Sequence, residues 1–164
     1  MQNLCATVAE SAWIVLLDAD ILIPPDQIGK ILALPRSSRD TAYKFNRIKI
    51  TGKLKVHPKI TLVTRRKYWE IGGCDEDFVR VYGFGDAHFW HRAAKVNTVV
   101  DVRKEIFLKA APETSSKSGT KELNRDMEIN SKKYWRKKQG IMPWSTSFLR
   151  FNWTAVEVSG ALPG

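Results

Sequence analysis

Acidic residues in three places of this chain have the types and spacings that chemistry needs. Asp18-Ala19-Asp20 ends the unbroken apolar run Trp13-Ile14-Val15-Leu16-Leu17. In an extended chain, residues two apart point to the same side, so Asp18 and Asp20 present a paired set of hard oxygen donors. Such a pair suits Mg²⁺ or Mn²⁺ carrying a phosphate-bearing ligand. A pair of loop-capping Asp residues fits the same pattern. Asp75-Glu76-Asp77 follows Gly72-Gly73, whose glycines permit backbone geometries closed to other residues. That segment reads either as a loop that wraps a ligand or as a helix stop before a solvated acidic turn. Asp86 follows the glycine-punctuated turn Tyr82-Gly83-Phe84-Gly85. There it caps a helix, accepts a proton as a general base, or does both. Tyr82 and Trp90 have faces that could stack on a sugar, although aromatics at such spacing also build cores.

The elements that must position these groups follow from periodicity. The short apolar run Trp13–Leu17 predicts a strand buried on both faces, as in a parallel sheet. Its carboxyl end, where open α/β sheets bind ligands, carries the Asp pair. A short amphipathic helix over Asn3–Ser11 precedes it. After an exit loop, Asp26 is placed to cap a helix over Gln27–Leu34, which Pro35 ends. Strands are expected over Ala42–Ile50, Ile60–Thr64 and Thr98–Val102, with a turn at Thr51–Lys53. Helices are expected over Arg65–Ile71, Ala87–Ala94 and Leu123–Lys138, the last stopped by Gly140. His88 and His91 share one face of their helix. Ala111–Lys121 is rich in Ser, Thr, Gly and Lys and reads as a loop. Trp144, Phe148, Phe151 and Trp153 are the aromatic anchors of the tail.

The bulk properties narrow the classes. At 164 residues, 43% hydrophobic and 10% aromatic, the chain is long and apolar enough for a core, which excludes a disordered chain. The net charge of +10 favours anionic partners: nucleotide diphosphates, membrane surfaces or nucleic acid. Lys and Arg crowd Lys44–Lys67 and Lys132–Lys138. The two cysteines, Cys5 and Cys74, have no CxxC spacing, and the amino terminus lacks a basic region followed by an apolar core. Reduced thiols in the cytoplasm, with the option of peripheral attachment to a membrane surface, are the expectation. No apolar run approaches a bilayer span. Asn152-Trp153-Thr154 matches a glycosylation acceptor that stays idle without secretion.

Taken in order, Asp18-Ala19-Asp20, Tyr68-Trp69-Glu70-Ile71-Gly72-Gly73-Cys74-Asp75-Glu76-Asp77-Phe78 and Tyr82-Gly83-Phe84-Gly85-Asp86 resemble the GT-A-fold glycosyltransferases, especially the family 2 and galactosyltransferase-like group. The resemblance covers roughly residues 3–92. Gln2-Asn3 retains the Asn of the Arg-Asn pair that often opens the helix before the D-x-D strand. Gly85 stands where the family usually has Glu. Measured against the family, the chain begins about a third of the way in, and the strands that hold the nucleotide base are not in it. A sheet without those strands exposes an edge that invites a partner chain or self-association.

The resemblance implies a partial GT-A α/β fold, a mixed and mostly parallel sheet flanked by helices. Residues 1–110 would form the carboxy-terminal part of a GT-A domain, with 111–164 packing on it as loop, basic helix and aromatic tail. It also implies roles. Asp18 and Asp20 would hold Mn²⁺ or Mg²⁺ on a nucleotide-diphosphate-sugar donor, with His88 as a further metal ligand. Gly72, Gly73, Asp75, Glu76, Tyr82 and Gly85 would form the sugar and acceptor site. Asp86 would be the base of an inverting, single-displacement transfer to a hydroxyl on a glycan, lipid-linked or protein acceptor. Two rivals stand beside this reading. One is a basic binding module for acidic polymer or nucleic acid, drawn by Lys132–Lys138, although nucleic acid is not the expected partner. The other is a shortened, inactive transferase relative.

Overall fold

The computed structural model describes residues 2–18, 21–36, 38–48, 54–79, 81–110, 126–145, 147–150, 152 and 154, with backbone alone over 54–59. The chain runs α1 (Gln2–Val8), β1 (Trp13–Leu16), β2 (Ile21–Leu22), α2 (Pro25–Leu32), β3 (Thr41–Ile48) and β4 (Leu54–Thr64). It continues through α3 (Arg65–Glu70), a 3₁₀ turn (Glu76–Phe78), α4 (Gly85–Val96), β5 (Thr98–Asp101), β6 (Phe107–Ala110) and α5 (Glu128–Lys138).

The strands form one mixed sheet in the order β1-β4-β3-β6-β2, with β5 also on β3. The expectation of a mostly parallel sheet is corrected. β1–β4, β3–β4 and β2–β6 are antiparallel, and only β3–β5 and β3–β6 are parallel. β1 itself pairs antiparallel with β4, Trp13 opposite Thr64 and Leu16 opposite Thr61. The run Trp13–Leu17 is apolar throughout because helices cover both sheet faces, not because its neighbours are parallel. β3 shares its second side between two strands: Thr41–Lys44 face β5 and Asn46–Ile48 face β6. β4 is longer than Ile60–Thr64. Its register against β3 shifts between Lys44 and Asn46, and Pro58 falls in that irregularity, where a missing N–H costs no ladder bond.

Alternation along the strands divides the core in two. Ile14, Leu16, Ala42 and Val63 point to one face and pack with Tyr68, Phe89 and Trp90 of α3 and α4. Tyr43, Phe45, Ile60 and Leu62 point to the other and pack with Ile31 of α2, Ile106 and Leu108. Each such aromatic or aliphatic side chain contributes about 2 kcal/mol by leaving water.

Smaller differences have local causes. α2 begins at Pro25, with Pro24 in the cap position and no side-chain cap, so Asp26 lies inside the first turn. β6 follows a turn in which Ile106 N–H donates to Val102 O, and its four residues show no alternation long enough to read in advance. Among the described residues, no helix is long and apolar enough to cross a membrane. Ala111–Lys121, Thr51–Lys53, Phe151 and Trp153 lie outside the described residues.

Candidate functional site

The site is built around the turn that follows α3. Thr64 caps α3 by accepting from Lys67 N–H at 3.2 Å. The helix ends at Ile71, and Gly72 and Gly73 take φ of 91° and 55°, the left-handed region. A Cβ on Gly72 would stand 2.7 Å from Arg92 Nη1, and one on Gly73 2.8 Å from Asn3 Oδ1. These glycines therefore let two polar side chains reach the backbone. Arg92, buried on α4, donates from Nη1 to Ile71 O and Gly72 O and from Nη2 to Gly73 O. Asn3 of α1 accepts from Tyr68 Oη–H at 2.6 Å and from Cys74 N–H at 2.8 Å. It donates to Cys74 O at 2.9 Å and to Glu76 Oε1 at 2.8 Å.

The acidic segment that follows is tied to the protein's own donors. Asp75 Oδ1 accepts from Asp77 N–H at 3.0 Å, and its Oδ2 lies 2.8 Å from Lys137 Nζ. Lys137, only 2% exposed on α5, also donates to Asp77 Oδ2 at 2.7 Å and to Pro143 O at 2.9 Å. Glu76 accepts from Leu149 N–H at 2.8 Å and Arg150 N–H at 3.0 Å. Burial opposes ionisation of Glu76 and Asp77. Burial is the largest single influence, but the bonds from Arg150, Asn3 and Leu149 together outweigh it at Glu76, and those from Lys137 and Arg150 together at Asp77, so both carboxyls sit below the usual range. α5 adds Asn130, whose amide donates to Phe78 O, Val81 O and Gly83 O.

Beside β1 opens a cleft of about 1440 Å³. Every residue from Trp13 to Asp18 lines it. Because both parities contribute, the cleft follows the edge of β1 and not one sheet face. Asp18 closes the strand end, and Cys74, Asp75, Glu76, Asp77 and Arg150 form the facing wall. The structure thus brings together Asp18 and the Asp75–Glu76 carboxylates. Asp20 lies outside the described residues. Among the described lining residues there is no Gly72, Gly73, Tyr82, Gly85, Asp86 or His88.

Asp86 is the second residue of α4. Phe84, with φ of 64°, holds the cap position, so Asp86 is not the cap. Gly85 packs on Phe78 of the 3₁₀ turn, where a Cβ would stand 3.5 Å from the Phe78 Cβ. Tyr82 is exposed beyond that turn. His88 is fully buried. Its ring packs with Phe78, Tyr134 and Trp144, and its Nδ1 lies 3.5 Å from Asp75 Oδ2. Burial, and then the charge of Arg92, lower its pKa to about 4. It stands in the core beside Asp75 and is not among the described residues that line the cleft. Trp90 is buried as core, with Lys44 Nζ 4.3 Å from its ring centroid.

Among the described residues, no three His, Cys, Asp or Glu side chains gather into a cage. Mg²⁺ carrying a diphosphate is held by one or two carboxylates plus phosphate oxygens, and Asp18 fits that smaller demand. Sequence reasoning missed Lys137, Arg92 and Arg150. The chain matches no model of a known protein family and no curated protein.

Proposed function

We propose that this chain moves a sugar from a nucleotide-diphosphate-sugar donor to a hydroxyl acceptor, as an inverting GT-A-like transferase. One observation supports the reading above others: Asp18, at the end of β1, shares a cleft with the carboxylates of the Gly-Gly-Cys-Asp-Glu-Asp segment. Asp18 and Asp20 hold the donor end. A divalent ion bound there supplies neutralisation of the charge that builds on the departing diphosphate. The apolar edge of β1 runs along the same cleft and offers a floor for the sugar. Asp75 and Glu76 shape the wall through their hydrogen bonds to Lys137, Leu149 and Arg150, and contact acceptor hydroxyls only with the lone pairs left over. Asp86 is the base in this reading, taking the proton of a hydroxyl brought to the rim formed by the 3₁₀ turn.

The test is binding and turnover of nucleotide-diphosphate sugars with Mn²⁺, with and without chelator, and separately of short DNA at two salt levels. Mn²⁺-dependent binding and transfer are expected, with both lost in Asp18→Asn and Asp20→Asn. Asp86→Asn should keep binding and lose transfer. Full turnover in Asp20→Ala sinks the proposal. A second reading, a transferase-like scaffold that binds without turnover, is favoured by the absence of Asp86 from the described cleft lining. It predicts donor binding with no transfer in the unmodified chain.

A further inference from the structure

The outer side of α5 carries apolar and basic side chains together, away from the cleft. Its inner stripe, Asn130, Lys133 and Lys137, is engaged with the acid loop and the segment after it. At 3.6 residues per turn, Lys132, Trp135 and Arg136 turn away from that stripe, and Ile129 lies on its flank beside Lys133. Ile129, Trp135 and, just past the helix, Ile141 are 55%, 49% and 64% exposed. Large apolar side chains standing clear of the surface in one neighbourhood mark an interaction site more than a scatter would.

Three cations of this region have no carboxylate partner among the described residues. Lys132 pairs with Glu128 at 2.6 Å. Arg136 and Lys138 pair with no carboxylate among the described residues, and neither does Lys95 on α4. Lys138 Nζ instead stands 4.6 Å from the Trp135 ring centroid, and Lys95 Nζ 5.2 Å from that of Trp144, which is itself exposed. Burial, then the charges of Lys95 and Lys138, depress the pKa of His91 between them, as a region of positive potential requires.

We infer that this face docks the protein on an anionic lipid bilayer. Trp135, Ile129 and Ile141 enter the boundary between headgroups and acyl chains, and Arg136, Lys138 and Lys95 meet the lipid phosphates and carboxylates. A soluble polyanion would answer the cations but leave the three apolar side chains in water. A bilayer interface takes both, and it is where indole rings with neighbouring Lys or Arg are most at home. The contact stands apart from the sugar-transfer cleft and does not rest on that reading.

The experiment is co-sedimentation of the full chain with vesicles of phosphatidylcholine alone and of phosphatidylcholine mixed with phosphatidylserine. Binding is expected to the mixed vesicles, and to weaken as salt screens the headgroups. Each cation removed should lower the partition coefficient about fivefold, so Arg136→Gln/Lys138→Gln should lower it on the order of twentyfold. Lys95→Gln tests the same surface from another helix. Trp135→Ser should weaken binding and leave its salt dependence unchanged. All four positions lie outside the buried network, and an unchanged circular dichroism spectrum shows that each variant folds. Equal binding to both vesicle types overturns the inference. So does binding to a sulfated oligosaccharide with none to vesicles, or mixed-vesicle binding that survives the Arg136→Gln/Lys138→Gln change.

Discussion

Asn3 donates to Glu76 Oε1 at 2.8 Å, so α1 is fastened to the acid loop beside the cleft that both residues line. The same amide accepts from Tyr68 and Cys74 N–H and donates to Cys74 O, which uses its full capacity of two donors and two acceptors. Asn3→Ala leaves a buried carbonyl, an N–H and a phenol short of partners. We expect a loss of about 3 kcal/mol, read from the denaturant midpoint. Asn3→Asp should cost more at neutral pH, because it sets a second carboxylate against Glu76. A variant Asn3→Asp as stable as the unmodified protein would refute the assignment.

The glycines of the same segment answer to that amide and to Arg92. At Gly73, a methyl group meets Asn3 Oδ1 at 2.8 Å on a backbone with φ of 55°. At Gly72 it meets Arg92 Nη1 at 2.7 Å with φ of 91°. Both strain and displacement act against Ala, so Gly72→Ala and Gly73→Ala should each destabilise by about 2 kcal/mol. Neither glycine lines the described cleft. Ligand affinity measured well below the unfolding temperature should therefore change little. A large affinity loss in a stably folded Gly73→Ala would restore the ligand-wrapping role that the sequence offers.

How much of this was legible beforehand depends on what each element packs against. Trp13–Leu17, Arg65–Ile71 and Ala87–Ala94 could be read because their apolar residues meet apolar cores. Strand direction could not be read, since the same apolar run serves an antiparallel partner when both faces are covered. Which side of α5 faces inward could not be read, for the opposite reason. Its inward positions are Asn130, Lys133 and Lys137, because the surface it covers is a ring of carboxylates and carbonyls. A hydropathy pattern sees such a stripe as solvated. The signal that could have found it is complementarity: a Lys run late in a chain whose one acidic triplet, Asp75-Glu76-Asp77, needs buried partners.

Lys137 is where that complementarity carries most weight. Its side chain and that of Asp75 are both fully buried, and they stand 2.8 Å apart. Lys137→Met keeps the volume and strands Asp75 without its counter-charge, so a loss of about 4 kcal/mol is expected. The double change Asp75→Asn/Lys137→Met removes both charges and should recover part of that loss. Thermal unfolding of the two variants side by side decides the point. If the double variant is no more stable than Lys137→Met, the pair does not act as a unit. The same variant should free Pro143–Arg150 from the acid loop, visible as faster amide exchange at Leu149 and Arg150.

His88 supplies a pH dependence with a definite sign. It is buried, neither ring nitrogen has a hydrogen-bond partner among the described residues, and its pKa falls from 6.5 to about 4. Burial is the main cause. Arg92 on its own helix, Lys137 from α5 and His91 push in the same direction, while Asp75 opposes them. The folded state therefore keeps the ring neutral, while the unfolded chain takes up a proton as pH drops through 6.5. Above that pH the shift has no effect on stability. Between pH 6.5 and pH 4 the unfolded state gains, and folding loses up to about 3 kcal/mol from this one side chain. His88→Phe offers a ring of similar shape to Phe78, Tyr134 and Trp144 and cannot titrate. Its unfolding free energy should stay flatter than that of the unmodified protein across this window, with the two curves running parallel above it. Parallel curves from pH 7 down to pH 4 would mean that His88 titrates alike in both states, and that its buried place carries no proton linkage.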